Sequence, residues 1–135
     1  MLIDYPRHYD VEMSTVDRGA NGGVAGKDMR LVSHNFPVRL VDIEGIDNHV
    51  VPRLKLGTHG AVANSVKGKV LLLFHQYAYY AQERSIHSSL QLEEYNITVD
   101  DHPTSLGGSQ SLTTPDGLVI PLDFANGLAH LHLRP

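Results

Sequence analysis

The residues best suited to chemistry lie in the segment Ser14-Thr15-Val16-Asp17-Arg18-Gly19-Ala20-Asn21-Gly22-Gly23. An apolar, strand-like run ends there in an aspartate, and glycine-rich backbone follows at once. A carboxylate on such a turn is well placed to project into a cleft, where it could act as a general acid or base. The alternative is structural, because an aspartate beside glycine often caps its own turn through a side-chain oxygen. Taken alone, this segment favours the structural interpretation.

Other patterns of catalytic or binding residues are weak. The glycine-rich stretch lacks the Gly-Lys-Ser/Thr ending of a Walker loop and the following helix of a dinucleotide loop. Gly107-Gly108-Ser109-Gln110-Ser111 lacks the closing glycine of a nucleophile elbow. His130 and His132 would share one face of a strand, but no recognised ligand set accompanies them. We therefore expect neither a metal nor a cofactor.

The composition excludes several classes of protein. The 135 residues include 11 Lys and Arg against 15 Asp and Glu, a net charge of −4, so no basic surplus is present for nucleic acid or anionic lipid. Cysteine is absent, which excludes disulfides and thiolate chemistry. The first ten residues carry charges where a secretory signal needs an apolar stretch, and Val70–Phe74 is too short to cross a membrane. We expect no membrane association and a cytoplasmic protein.

The elements that must position these residues are mostly strands. Short runs rich in Val, Ile and Leu alternate with Gly, Asn, Asp and Pro, which is typical of a β barrel or sandwich. One helix is expected over Ser85–Tyr95, with Ser85 or Ser88 as its N-cap. Ten strands are predicted: Glu12–Val16, Met29–Ser33, Val38–Glu44, Val50–Leu56, Gly60–Ser65, Lys69–Gln76, Ile97–Asp100, Gln110–Thr113, Leu118–Leu122 and Leu128–Leu133.

Taken in order, these segments resemble the retropepsin-like aspartic protease of Copia-type retrotransposon polyproteins, with diatom-like Copia elements nearest. Val16-Asp17-Arg18-Gly19-Ala20 stands where that family has an apolar residue and Asp-Ser/Thr-Gly-Ala. Val41-Asp42-Ile43-Glu44-Gly45-Ile46 is similar to its flap hairpin, and Val70–Tyr80 to its apolar strand. Arg84–Leu92 matches its Asn-Leu-Leu-Ser-x-x-Gln-Leu segment. Arg18 departs from the pattern, because the family has Ser or Thr there.

The resemblance implies an all-β, closed retropepsin-like barrel with one short helix, acting as a symmetric homodimer. Residues 1–101 would form the protease domain and 102–109 a linker-like loop. Residues 110–135 would form C-terminal hairpin strands that continue the domain or follow it.

The resemblance also assigns site residues. Asp17 would be catalytic on the turn Arg18-Gly19-Ala20, and an extended, apolar peptide would bind beneath a flap formed by Glu44, Gly45, Ile46 and Asp47. The turn Ile86-His87-Ser88 would support the two aspartates.

The implied activity is polyprotein cleavage, in the cytoplasm or within virus-like particles. The partners would be a second copy of the chain and the polypeptide substrate. The alternative is a β module, or a decayed element relic, that keeps the fold and binds peptide or dimerises without catalysis.

Overall fold

The structure, a computed structural model, describes residues 13–44, 50–102, 106–125 and 127–135. Within these ranges the chain is mostly β-strand with one short helix, as the sequence predicts. No helix in these ranges is both long and apolar enough to cross a membrane. The elements, in chain order, are β1 (Met13–Asp17), β2 (Val24–Ala25), β3 (Arg30–His34), β4 (Leu40–Glu44), β5 (Val50–Ser65), β6 (Gly68–Tyr79), β7 (Ile86–Ser88), α1 (Ser89–Glu94), β8 (Thr98–Asp100), β9 (Ser111–Thr113), β10 (Val119–Pro121), β11 (Asp123–Ala125) and β12 (Leu128–His132).

Two sheets contain these strands. The larger has the order β11-β12-β1-β7-β2-β6-β5-β3, and β4 also pairs with β5; the smaller has the order β10-β9-β8. Most neighbours are antiparallel, but β1 pairs with β7, and β2 with β6, in parallel. The parallel β1–β7 pair joins segments that are far apart in sequence, and it places the end of β1 beside the start of α1.

The prediction of a closed barrel is wrong for the ladders that the structure describes. The large sheet is open, because its end strands, β3 and β11, do not pair with each other in the described residues. The long strand β5 pairs with β3 over one part of its length and with β4 over another. The chain end partly spans the opening, since Val62 and Arg134 exchange backbone hydrogen bonds of 2.7 and 2.9 Å.

The helix prediction needs correction at its start. Ile86–Ser88 is a strand, and α1 begins at Ser89. Ser88 is the N-cap, and its hydroxyl accepts a hydrogen bond from the Gln91 N–H. Ser85 is buried and instead bonds to Asp28 and Gly26. Pairing of Ile86 with both Thr15 and Val24 accounts for the strand conformation of a sequence with helical spacing.

The hydrophobic core lies between the large sheet, α1 and the small sheet. It contains strand residues that alternate inward, together with side chains from the helix and the last strands. Its buried members are Val16, Ala25, Met29, Ala61, Ala63, Phe74, Tyr77, Leu92, Val99, Leu112, Ile120, Leu122, Ala129, Leu131 and Leu133. Because this core includes residues from β1 and α1, both elements that flank Asp17 are anchored in it.

Candidate active site

Asp17 lies at the end of β1, in register with Ser88 of β7. Its side chain is half-buried, and Oδ1 accepts a hydrogen bond of 2.7 Å from the Gly19 N–H. Oδ2 has no hydrogen-bond partner in the part of the chain that the structure describes. The aspartate therefore caps its own turn with one oxygen and leaves the other available, so the geometry fits both the structural and the catalytic interpretation.

The turn after Asp17 is held by the first turn of α1. The Ser88 hydroxyl donates to the Ala20 carbonyl at 2.7 Å, and the Gln91 Oε1 accepts from the Gly23 N–H at 2.9 Å. Gly23 must be glycine, since a Cβ there would lie 2.4 Å from the ring of Tyr77. Gly19 is exposed and Ala20 half-buried. The glycine-rich turn is thus fixed at two points by side chains of one helix end.

Sequence reasoning missed Gln91 as a site residue, although it lies in the matched Ser-x-x-Gln-Leu segment. Its Nε2 donates to the carbonyls of His75 and Gln76, at 2.9 and 3.1 Å. These carbonyls are free to accept because β6 is irregular there: its register with β5 shifts, and Gln76 has a φ of 61°. Gln91 therefore ties the turn after Asp17 to β6.

Arg18 points away from Asp17 and towards α1 and β8. Its guanidinium bonds to Glu93 at 3.1 Å, to Asp101 at 3.0 Å and to the Val99 carbonyl at 3.3 Å. The charge is paired and partly exposed, so no unpaired cation is buried beneath the aspartate. These bonds raise the pKa of Arg18, with the Glu93 hydrogen bond as the largest cause.

Ile86, His87 and Ser88 form β7, directly beside β1. Ile86 is half-buried, whereas His87 and Ser88 are fully buried.

His87 lies opposite Val16 and contacts Tyr77 and Ser14 through its two ring nitrogens. Burial lowers the pKa of His87 to about 4, and the charge of Asp28 opposes the shift.

The predicted flap falls partly outside the described residues. The strands β4 and β5 form an antiparallel hairpin in which Ile43 faces Val51 and Glu44 faces Val50. Gly45, Ile46 and Asp47 lie outside the described residues. Where the register of this hairpin shifts, Asp42 accepts a hydrogen bond from the Arg53 N–H at 2.9 Å, and Arg53 has a φ of 60°.

Among the residues that the structure describes, no cluster of three or more His, Asp or Glu side chains is arranged to hold a metal ion. His130 is buried, and His132 is hydrogen-bonded to Asp123. Neither contributes to the surroundings of Asp17.

No protein-family model, curated protein or solved structure matches this chain.

Proposed function

We propose that the chain is an aspartic endopeptidase of retropepsin type that acts as a symmetric homodimer. The observation that carries this proposal is the setting of Asp17. It ends a strand that runs parallel to β7, and it begins a turn tied by Ser88 and Gln91 to the helix that follows β7. Such a turn holds a carboxylate in a fixed orientation, which a catalytic acid or base needs.

The chemistry requires a second carboxylate, which a second copy would supply. Two Asp17 side chains across a two-fold axis would share one proton, because like charges so close cannot both ionise cheaply. The ionised carboxylate would take a proton from water while the water oxygen attacks the peptide carbonyl carbon. The protonated carboxyl would give its proton to the carbonyl oxygen. The carboxyl that took the water proton would then give it to the amide nitrogen, and the C–N bond would break. A hydroxyl of the intermediate would return its proton to the other carboxylate, which restores the shared proton.

The substrate in this proposal is an extended polypeptide with apolar side chains near the scissile bond. It would add as a strand beneath the β4–β5 hairpin, with its backbone hydrogen-bonded and alternate side chains in pockets. Processing of a retrotransposon polyprotein, in the cytoplasm or in virus-like particles, is the setting that the resemblance implies. No cofactor takes part.

The proposed function predicts that Asp17→Asn abolishes peptide cleavage. The full chain would be incubated with a polyprotein fragment and with apolar peptides between pH 4 and 7, with and without a transition-state peptide inhibitor. We expect Asp17→Asn to reduce the rate by about 10²–10⁴-fold, because asparagine neither accepts nor donates the transferred proton. The variant should stay folded, since its side-chain oxygen can still accept from Gly19.

Asp116→Asn is the matched control, because Asp116 also lies on an exposed turn, where it bonds to Thr114. This variant should cleave at the parent rate. Equal cleavage by the parent and Asp17→Asn would refute the catalytic assignment. Sedimentation equilibrium would test the dimer separately.

A non-catalytic retropepsin-like module is the second candidate, and the geometry of Arg18 favours it. The family's Ser or Thr at this position bonds across the dimer axis, whereas Arg18 is committed to Glu93 and Asp101 of its own chain. A parent protein that dimerises or binds peptide but cleaves nothing at any pH would establish this candidate.

A further inference from the structure

A continuous chain of hydrogen bonds crosses the core directly behind the strand that ends in Asp17. Tyr77 Oη lies 2.7 Å from His87 Nδ1, and His87 Nε2 lies 3.0 Å from Ser14 Oγ. The Ser14 hydroxyl donates to the Leu131 carbonyl at 3.0 Å. The chain links β6, β7, β1 and β12, and its three side chains are almost completely inaccessible to solvent.

The direction of these bonds fixes the tautomer of His87. Ser14 has one hydroxyl proton and gives it to Leu131, so Ser14 Oγ can only accept from the imidazole. The proton on a neutral His87 is therefore on Nε2. Nδ1 carries the lone pair and accepts from the Tyr77 hydroxyl. Each polar atom of the chain then has a partner, and the neutral imidazole is the form that satisfies all of them.

A protonated His87 would break this pattern. Nδ1 would become a donor facing the Tyr77 hydroxyl, whose own proton has no other acceptor among the described residues. Phe74 covers the ring at a centroid distance of 5.1 Å, so water does not replace the lost partner. The titratable or charged groups that face His87 are Tyr77 from β6 and Asp28 from the segment before β3. Asp28 accepts two hydrogen bonds from Ser85, both on Oδ1, while its buried Oδ2 has no partner among the described residues. Its charge favours a protonated His87, but burial of the ring has the larger effect.

We propose that His87, as a neutral imidazole with its proton on Nε2, is a positioning residue that holds Asp17 in register with Ser88. It also sets the acid limit of the site. The position follows from the pairing, in which Val16 faces His87 and Asp17 faces Ser88 on the next residue pair. A charged ring would push β7 away from β1 and β6, and the turn held by Ser88 would move with it.

The regulatory part of this inference rests on the proposed function, whereas the tautomer and the register do not. Nitrogen-15 NMR of the full chain with labelled histidine measures the tautomer directly. We expect the Nε2–H tautomer from pH 5 to 8 and a midpoint for His87 near 4. A ring protonated on Nδ1, or one that titrates like a free histidine near about 6.5, would overturn the inference whether or not the protein cleaves peptides.

His87→Gln is the sharpest variant, because a glutamine amide can donate to Ser14 and accept from Tyr77 but does not titrate. It should keep the Thr15 amide, which donates to the Ser85 carbonyl beside β7 at 3.2 Å, protected from hydrogen exchange. It should also cleave within about threefold of the parent at pH 6. Below pH 5, both cleavage and amide protection should persist to a pH that is at least about one unit lower than in the parent. His87→Leu, which makes neither hydrogen bond, should lose amide protection at every pH.

His102→Gln is the matched control, since the His102 side chain is 71% exposed. It should leave the acid limit where it is in the parent. An unchanged acid limit in His87→Gln would refute the positioning role. If the parent cleaves nothing, the proposed function fails, and protection of the Thr15 amide against pH still decides the inference about His87.

Discussion

At the scale of single residues, Arg18 shows how a side chain can depart from a family pattern without disturbing the backbone. Its long stem carries the guanidinium past the turn to two carboxylates, Glu93 and Asp101. The guanidinium points outward, towards these acidic residues and away from Asp17. The partners lie on its own chain, in α1 and directly after β8, and their identity could not be read from the sequence because the pairs span 75 and 83 residues.

Replacement of Arg18 by Thr should cost little stability. The three side chains are 46%, 40% and 21% exposed, so solvent screens the charges, and we expect a loss of about 1 kcal/mol or less in the free energy of unfolding. A double-mutant cycle with Glu93→Gln, followed by urea unfolding, should give a coupling energy of about 0.5 kcal/mol. No coupling would mean that the pair does not form in solution. In the proposed protease, Arg18→Thr should leave cleavage equal or higher, because threonine restores the family's residue.

At the scale of elements, the turn residues predicted where most strands lie. The short strands that depend on pairing with distant segments were not predicted. The prediction of two separate strands, Val50–Leu56 and Gly60–Ser65, is wrong, because β5 runs without a break from Val50 to Ser65. Gly57 is required by a close approach, since a Cβ there would lie 2.5 Å from the Ser33 carbonyl oxygen. The short strands β2, β7 and β11 were not predicted, because two or three residues show no periodicity and exist only through their partners.

The candidate site also has parts that depend on neighbouring residues and parts that depend on distant ones. The Asp-x-Gly turn and the Ser88 cap are local and could be predicted from neighbouring residue types. The contacts of Gln91 with Gly23, His75 and Gln76 depend on the parallel pairing of β1 with β7 and on the irregularity in β6. No spacing rule reports such contacts, although the resemblance marked this glutamine as a matching position.

The role of Gln91 predicts a measurable loss when its three hydrogen bonds are removed. Gln91→Leu should lower the free energy of unfolding by about 1–3 kcal/mol, because the Gly23 N–H and two carbonyls of β6 would lose their partner. The Gly23 amide should also exchange faster with deuterated water. Gln82→Leu is the control, since Gln82 is exposed, and it should change stability by no more than about 0.5 kcal/mol. Equal stability of the two variants would show that Gln91 does not fix the turn.

At the scale of the whole molecule, buried histidines make the stability of the fold depend on pH. His87 and His59 are both inaccessible, and burial lowers the pKa of each. Neither ring nitrogen of His59 has a hydrogen-bond partner of good geometry in the described part of the chain, and its ring stacks on Tyr79 at 5.6 Å. The Gly57 backbone favours the protonated ring and offsets part of the pKa shift of His59.

These shifts give the sign of the pH dependence. Between about pH 6.5 and the lowered folded pKa, the unfolded chain binds protons at these histidines and the folded chain does not. The contribution of these neutral histidines to the free energy of unfolding is therefore fully present above about pH 6.5, and it decreases as the pH falls. For His87, whose folded pKa is about 4, the loss by pH 4 is about 3 kcal/mol. Asp100 affects stability at a lower pH than the histidines do. Hydrogen bonds from Ser109 and His102 depress its pKa, so its contribution to the free energy of unfolding is lost only below about pH 4.

His59→Leu should reduce this dependence and raise stability. Leucine removes two buried nitrogens without partners and fills similar space, so we expect a gain of about 1 kcal/mol in the free energy of unfolding at pH 7. The gain should grow as the pH falls below about 6.5, because the variant lacks one group that takes up a proton on unfolding. Urea unfolding from pH 4.5 to 7.5 measures both effects. A variant that is less stable than the parent, with the parent's slope, would show that His59 is paired in solution and does not contribute to the acid sensitivity of the fold.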